Sequence, residues 1–451
     1  MRLGFALALC GIFLLGLYLF ASFGLAPNVD LLRFSSGILD MDTSRMVRDW
    51  ATSGSAVRAS LHPLSKLLLA PIGIALRANP PSAQHALDAT RLMVACSMAL
   101  DAVLVGWLAV RLSGGVRWAG VAAAVISGVS FCSILMGATP ESASVACLSA
   151  VVPLLLLDLR FDREFSFAEA VGWGFVGVLS IAFTVSQGSW WLVALGTRVG
   201  FLLHTATERR GAAWRLAPRL FVALTLCVAM TWWAADLQAR IYPGTHAFEW
   251  APGGREAERA YLRLDDLQQR TLWHGARLLA HFLFYDFAAP FPTYSSFLID
   301  YHRVSWWSLS IEETRFHDWQ PLQLVSWAAL LIAFVPVARG MRHADRRFVA
   351  PLVGLGGQLA LHAVYGREYV LYAANWHGVL VATAIAAASK QVGARWRHAS
   401  VIVALLAAIL LVNNLLVMQR IYAEFGAGLE SSVRDARGAL IPASREEQPA
   451  R

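Results

Sequence analysis

The feature that most constrains this chain is a series of about eleven apolar windows, most of them long enough to cross a lipid bilayer. A crossing helix needs about 20 predominantly apolar residues, because the hydrocarbon core offers no water to backbone N–H and C=O groups. The windows are residues 3–24, 91–110, 118–137, 141–158, 169–187, 190–206, 219–236, 321–338, 348–364, 376–389 and 399–418. With 57% hydrophobic and only 15% charged residues, the chain predicts an all-α polytopic transmembrane helix bundle.

Basic residues lie in alternate connections between the windows, which sets the expected orientation. The positive-inside rule assigns these connections to the cytoplasm and therefore places the N-terminus there as well. The basic residues concerned are Arg111, Arg117, Arg160, Arg163, Arg209, Arg210, Arg215, Arg219, Arg339, Arg342, Arg346, Arg347, Lys390, Arg395 and Arg397. This topology accounts for the net charge of +8, so no nucleic-acid partner is expected.

The same topology divides the chain into four parts. Residues 1–240 form a transmembrane module that includes a first extracytoplasmic loop at 25–90. Residues 241–320 form a long extracytoplasmic loop, residues 321–420 supply the C-terminal transmembrane helices, and residues 421–451 form an extracytoplasmic tail. Most polar residues capable of chemistry therefore collect on the outer side.

Two stretches of the first outer loop have mixed polar and apolar spacing and are too short to span, and a third stretch lies in the second outer loop. Such segments are expected to lie as helices in the membrane interface. They are Met46 to Trp50, Leu64 to Leu76, and Leu264 to Phe287.

Polar residues inside the windows predict contacts between helices. Asp101 falls in the middle of a span, where a carboxylate is costly, so it should face a partner or a wet cavity. His204, Asn413 and Asn414 are expected to form interhelical hydrogen bonds. The Trp pairs at 190–191, 232–233 and 306–307 are typical of the aromatic belt at a membrane interface.

Two carboxylates and a guanidinium follow the first window at the outer water interface, in Asp40-Met41-Asp42-Thr43-Ser44-Arg45. A carboxylate held there could act as a general base towards an acceptor hydroxyl. An Asp-x-Asp triplet is also common in solvated loops, so the pattern alone leaves both interpretations open.

Further motifs give the loop a resemblance to a known family. The Asp after the first helix precedes interfacial segments and the triplet His62-Pro63-Leu64. This layout resembles the GT-C superfamily of polyprenyl-phosphate-sugar-dependent integral membrane glycosyltransferases. The segment from Tyr365 to Trp376 is similar to a motif of bacterial members whose acceptor is unassigned.

The resemblance implies a hexosyl- or pentosyltransferase in the bacterial inner membrane with an extracytoplasmic active site. The donor would be a sugar on a polyprenyl phosphate, and the acceptor a lipid, glycan or protein hydroxyl used in envelope glycan or glycolipid synthesis. Asp42 best matches the family's catalytic Asp, and Asp40 is the alternative. The expected donor- or acceptor-binding residues are Asp40, Arg45, His62, Glu141, Arg367 and Glu368.

No cofactor is expected. Some family members need a divalent cation, but nothing here makes a set of acidic ligands convincing. Glu141 could equally favour the dipole of the helix that it opens. Arg367 suits a phosphate because its planar fork bonds two oxygens, although Arg367 and Glu368 are also ordinary interfacial anchors.

A different class of protein fits the same composition: a lipid or polysaccharide transporter, or flippase, without catalysis. A transporter predicts repeat-related halves and ionisable residues along a path through the bilayer. The sequence has no evident repeat, and most of its ionisable residues lie in loops. A structural subunit of an envelope assembly is a third interpretation.

The predicted orientation has a direct test by thiol labelling of intact cells. Cysteines introduced near Gly253 and Ala443 should react with an impermeant reagent, because both positions are predicted to be outside. Cysteines near Gly211 and His343 should react only after the membrane is opened. Labelling of the last two in intact cells would reverse the orientation.

Overall fold

A computed structural model describes the chain at residues 3–25, 43–53, 62–77, 82–161, 164–243, 245, 276, 278–299, 304–310, 320–364, 372–392 and 396–435. Within these residues the protein is a bundle of α-helices with one β-hairpin. The helices are α1 Leu3–Leu19, α2 Thr43–Ala51, α3 Ser65–Leu76, α4 Ala83–Leu112, α5 Arg117–Val129, α6 Phe131–Ala138, α7 Ala143–Ala146, α8 Leu148–Arg160, α9 Phe167–Phe183, α10 Gly188–Thr205, α11 Arg209–Ile241, α12 Pro321–Met341, α13 Val349–Val364, α14 His377–Val392 and α15 Trp396–Asp435. The predicted helical membrane bundle is confirmed.

All eleven predicted windows lie on helices or on pairs of helices. Six of the described segments are long and apolar enough to cross a membrane, and a seventh is the pair α5 and α6, bent by 62° at Val129–Phe131. The other four windows correspond to α9, α10, α13 and α14, whose 16 to 18 residues are fewer than the roughly 20 of a full crossing. The chain is a multi-pass membrane protein, and a count of about eleven crossings stays a prediction.

Local sequence explains where several helices begin and end. The side chain of Ser82 caps α4 by accepting a hydrogen bond from the backbone N–H of His85 at 3.1 Å. Gly114 and Gly115 make the turn after α4 with φ of 77° and 102°, a region that disfavours a side chain. Pro321 opens α12, where its missing N–H costs nothing.

Helix α4 lies at the centre of the bundle and packs against α1, α5, α8 and α14. Its Asp101 is buried next to the thiol of Cys147, and its Oδ1 atom has no hydrogen-bond partner in the described part of the chain. The expectation that Asp101 meets a partner inside the bundle is therefore confirmed.

The bend between α5 and α6 is filled by a segment of the long loop. Residues 281–285 form a π-helical turn, and the following carbonyl groups accept hydrogen bonds from the first residues of α6: Phe131 N–H bonds Phe287 and Cys132 N–H bonds Asp286, each at 3.0 Å. The amides of Asn413 and Asn414 hold this arrangement from α15. Asn414 donates to Val129 at 2.9 Å and to Phe287 at 2.7 Å, and Asn413 donates to Ala289 at 3.3 Å.

This segment corrects one prediction. A surface helix was expected to extend to Phe287, but Phe282, Phe287 and Ala288 are buried in the main core. Residues 264–275 lie outside the described residues. The difference arises because the apolar stretch covers the broken span rather than the membrane surface.

The long loop also contains an element that the sequence analysis did not predict. Strands β1 Thr293–Ile299 and β2 Val304–Ser310 pair antiparallel, with Thr293 opposite Ser310. The last helix likewise exceeds its predicted window, because α15 runs through 40 residues to Asp435, or about 60 Å. It therefore extends into the segment assigned to the tail.

Three expectations for polar and aromatic residues have different outcomes. Asn413 and Asn414 form interhelical bonds as predicted, whereas His204 is exposed near the end of α10. Trp232 and Trp233 are exposed, as a belt position requires, but Trp190 is fully buried. Its indole N–H donates to the carbonyl of Asn375 at 2.9 Å, so a Trp pair in the sequence did not distinguish core from belt.

The bonds from Asn414 give a stability prediction. Asn414→Leu keeps the approximate volume but leaves the Val129 and Phe287 carbonyls without this donor. Each such bond within a membrane contributes about 0.6 to 2 kcal/mol, so the midpoint of thermal unfolding in detergent should fall clearly. Val412→Ala, a lipid-facing change on the same helix, should leave it nearly unchanged. Equal midpoints for the two variants would contradict the anchoring role.

Candidate active site

The interfacial helices α2 and α3 form the base of the candidate site, and α3 holds the C-terminal end of α2. Lys66 is fully buried, and its ammonium donates to the carbonyls of Asp49 at 3.0 Å and Thr52 at 3.2 Å. Arg77 donates to the carbonyl of Ala51 at 3.0 Å. Cations at the last carbonyls of a helix also suit its dipole.

The two helices approach so closely that only glycine fits at one position. A Cβ atom at Gly73 would lie 2.1 Å from the carbonyl oxygen of Trp50.

Burial lowers the pKa of the Lys66 ammonium, an effect that Asp49 partly opposes and Arg48 increases. The Lys66 ammonium also lies 5.1 Å from the centre of the Tyr242 ring.

The His62-Pro63-Leu64 triplet ties α3 to the helix bundle. His62 Nδ1 lies 2.5 Å from the carbonyl oxygen of Phe183, an acceptor, so Nδ1 carries the proton. Leu64 N–H donates to Ala182 at 3.0 Å, and the side-chain amide of Gln238 donates to Pro63 at 2.7 Å. These contacts make the triplet an anchor between α9 and α11, and substrate binding by His62 stays a prediction.

Helix α2 packs on the first turns of α4. Met46 and Trp50 form a buried cluster with Met93 and Val94 of α4 and Val145 of α7. Asp42, the expected base, directly precedes Thr43, the first residue of α2. The loop that carries the expected base therefore leads into a helix that is fixed to the bundle.

Glu141 lies in the turn that joins α6 to α7, close to the same cluster. Its side chain is largely buried, and Oε1 accepts hydrogen bonds from the Ser142 backbone N–H at 2.7 Å and from Ser142 Oγ at 2.8 Å. These bonds fit the role of Glu141 at the start of a helix, and its role in substrate binding stays a prediction. In the same turn, Thr139 Oγ1 lies 3.4 Å from the hydroxyl of Tyr422 on α15.

Arg91, on α4, is a buried cation at this end of the bundle, and the sequence analysis did not single it out. Its side chain is only 3% exposed, and a carboxylate oxygen of Asp88 lies 3.7 Å from its Nη1 atom. The guanidinium carbon lies 5.2 Å from the centre of the Phe23 ring and is within electrostatic range of Tyr422. Arg91 opens the apolar window 91–110, and a basic residue at that place is easily taken for an ordinary end anchor.

Several predicted site residues lie outside the described residues: Asp40, Asp42, Arg367 and Glu368. Arg45 belongs to α2 by its backbone, but its side chain is also outside the description. The roles of these residues stay predictions.

The end of the second motif is held firmly. Trp376 donates through its indole N–H to the buried carboxylate of Asp286 at 3.3 Å, and Asn375 accepts the bond from Trp190. His377 Nε2 lies 2.7 Å from Ser130 Oγ, at the bend between α5 and α6. The long-loop segment and the C-terminal motif therefore meet at the broken span, a contact that no spacing in the sequence predicts.

Across the described ranges, no three His, Cys, Asp or Glu side chains form a cluster that could hold a metal ion. Asp40 and Asp42 lie outside those ranges, and the expectation that no cofactor is needed stays a prediction.

Comparisons with known proteins bear on the fold. No family model matches the chain. No curated protein sequence matches it either. The crystal structure of ArnT from Cupriavidus metallidurans bound to undecaprenyl phosphate is similar with a TM-score of 0.51 and 13% identity, over 94% of this chain and 79% of that chain.

The oligosaccharyltransferase of Archaeoglobus fulgidus is less similar. Its apo form gives a TM-score of 0.47 and 13% identity over 92% of this chain, which spans 56% of that longer chain. The archaeal oligosaccharyltransferase AglB from Archaeoglobus fulgidus, in complex with an inhibitory peptide and a dolichol-phosphate, gives a TM-score of 0.44 and 12% identity, over 92% of this chain and 55% of that chain. The likeness to ArnT confirms the GT-C-like fold predicted from the sequence.

The contacts of Lys66 predict that it fixes α2. Lys66→Met removes a charged donor from two carbonyls, and bonds from charged donors are worth about 1.5 to 3 kcal/mol each. Amide hydrogen exchange in residues 43–51 should accelerate by about tenfold or more, while exchange in α15 stays constant. Lys390→Met, at a lysine paired with Asp345 on the opposite side of the bundle, is the control. Unchanged exchange in α2 would assign the anchoring to Arg77 and apolar packing alone.

Proposed function

We propose that the protein is a membrane glycosyltransferase that moves a sugar from a polyprenyl phosphate to an acceptor hydroxyl at the outer face of the inner membrane. The observation that carries the proposal is the likeness of 94% of the chain to ArnT, a protein whose crystal structure contains undecaprenyl phosphate. The GT-C resemblance of the first outer loop supports the same donor class. The acceptor would be a lipid, glycan or protein.

A lipid-linked donor fits the chemistry available to such a chain. The polyprenyl tail can lie among apolar helices while the phosphate and the sugar meet the outer loops. The sequence has no Gly-rich phosphate loop beside a strand and a helix, so it has no evident binding site for a nucleotide sugar.

The proposed step is attack of the acceptor oxygen on the anomeric carbon, as the bond from that carbon to the phosphate oxygen breaks. Asp42 takes the acceptor proton, with Asp40 as the alternative base. A cationic side chain, Arg367 in this proposal, stabilises the negative charge of the departing polyprenyl phosphate. Arg45, His62, Glu141 and Glu368 would contact donor or acceptor.

The anchored helix α2 supports this assignment physically. General-base catalysis needs the carboxylate within hydrogen-bond reach of the proton that it removes. Asp42 directly precedes α2 in the chain, and α2 is held through Lys66, Arg77 and the close contact of Trp50 with Gly73. The position of Asp42 in the chain meets this requirement better than that of Asp40.

Substitution of the base tests the proposal. Asp42→Asn is nearly isosteric but accepts no proton as a carboxylate does, and loss of a general base costs about 100- to 10,000-fold in rate. The assay would use a lipid-linked sugar donor identified by mass spectrometry of lipids that copurify with the protein. Donor binding and expression of the variant should match the wild type.

Two further variants make the result specific. Asp236→Asn removes a half-exposed carboxylate on the last turns of α11, paired with Arg240, and should transfer normally. If Asp40→Asn alone is inactive, the base is Asp40; if both loop variants transfer normally, catalysis by this loop is wrong. Movement of the intact lipid-linked sugar across the membrane without transfer would favour the transporter.

A further inference from the structure

We propose that Arg91, Tyr422 and Thr139 form a binding site for a phosphate group, which in the membrane is the head group of a polyprenyl phosphate. The inference rests on the proposed function for the identity of the lipid. The site itself is argued from the burial and the contacts of these three residues.

The first observation is a buried cation with incomplete compensation. Arg91 stays protonated at any physiological pH. Its Nε and Nη2 atoms are buried and have no hydrogen-bond partner in the part of the chain that the structure describes. Asp88 lies 3.7 Å from Nη1, is 41% exposed, and its Oδ1 already accepts a bond from Gln84.

Such an arrangement is costly unless an anion completes it. Burial of a charge in a protein is strongly unfavourable when its partners satisfy it only in part. The contacts with Phe23 and Tyr422 provide only part of the compensation, because neither supplies a formal negative charge. An anionic ligand that accepts from Nε and Nη2 would supply the rest.

The neighbouring hydroxyl groups favour phosphate over other anions. A guanidinium binds two oxygens of a phosphate through parallel N–H donors. Tyr422 interacts electrostatically with Arg91, and its hydroxyl lies 3.4 Å from that of Thr139, so this hydroxyl pair can donate to a further phosphate oxygen. A phosphate offers more oxygens than a carboxylate does, so it can accept from the guanidinium and from the hydroxyl pair on separate oxygens.

The position also suits a lipid head group. Arg91 lies eight residues into α4, about 12 Å along the helix from its outer end. Because Arg91 also opens the predicted apolar window 91–110, it is expected near the depth at which the bilayer interface meets the hydrocarbon. The Phe23 ring, at the π-helical end of the first span, lies against the Arg91 guanidinium and provides an apolar wall beside it.

The site lies beside the proposed catalytic loop. Met93 and Val94 follow Arg91 on α4 and belong to the cluster that holds Met46 and Trp50 of α2. A phosphate at Arg91 would therefore lie next to the helix that follows Asp42. Arg91 is then a donor-binding residue additional to Arg367.

Direct binding to the purified full-length protein in dodecyl maltoside tests this site. Native mass spectrometry would compare undecaprenyl phosphate with undecaprenol, which lacks the phosphate. The wild type should prefer undecaprenyl phosphate, and Arg91→Gln should weaken that binding by about 10- to 100-fold, as expected for lost bonds to a charged group. Arg240→Gln changes an arginine of the same end that is 75% exposed, and it should bind as the wild type does.

Tyr422→Phe and Thr139→Val keep the buried cation and provide the test if Arg91→Gln does not fold. Each should weaken the binding of undecaprenyl phosphate by about tenfold, because each removes one hydrogen bond to a charged group. Inorganic phosphate separates the two sources of the ligand. If it displaces undecaprenyl phosphate at low millimolar concentration, the site binds free phosphate; if it does not, the site binds the lipid. Equal binding of undecaprenol and undecaprenyl phosphate, or wild-type binding by all three variants, would overturn the site.

The outcome is separable from that of the proposed function. Arg91-dependent binding of undecaprenyl phosphate without sugar transfer would keep the site and overturn the transferase. Sugar transfer with an unchanged KM for the lipid-linked donor in Arg91→Gln would keep the transferase and overturn the site.

Discussion

The fold depends on the satisfaction of backbone polar groups where a helix breaks inside the bundle. No water is available in hydrocarbon, so the ends of α5 and α6 at their 62° bend need partners from the protein. The carbonyls of Asp286 and Phe287 supply acceptors, and Asn414 supplies a donor to Val129. Through these bonds the broken span draws the long loop into the core and joins it to α15.

The two ends of the bundle treat their charges differently. At the predicted inner end, Asp158 pairs with Arg111 and Arg347, and Asp345 pairs with Lys390. In such pairs the opposite charges compensate each other, which is typical of ion pairs with a structural role. At the other end, Lys66 and Arg77 are used by helix carbonyls, whereas buried Arg91 keeps unpartnered donors within the described residues. Arg91 therefore lies, with two buried and unpartnered donor atoms, at the end where the proposed substrates meet the protein.

Hydropathy and charge predicted the helices well because the bilayer fixes both their length and their composition. The same information could not predict the buried turn near Asp286, the core position of Trp190, or the hairpin, because these depend on neighbours distant in sequence. Asn413 and Asn414 were predictable since an amide in a span must find a partner. Arg91 was missed because an arginine at a window edge looks the same whether it anchors in the interface or is enclosed by other helices.

The turn at residues 281–286 and the segment from Tyr365 to Trp376 are joined by the indole of Trp376. Trp376 ends the Tyr365 to Trp376 segment and bonds Asp286, while Asn375 is held by Trp190. Arg367 and Glu368 thus precede an anchored turn, as Asp42 precedes the anchored α2. The anchors use Lys66, Trp190 and backbone carbonyls rather than the proposed reacting groups. Substitutions of those groups should therefore change chemistry with little effect on the fold, which lets rate and stability be measured separately.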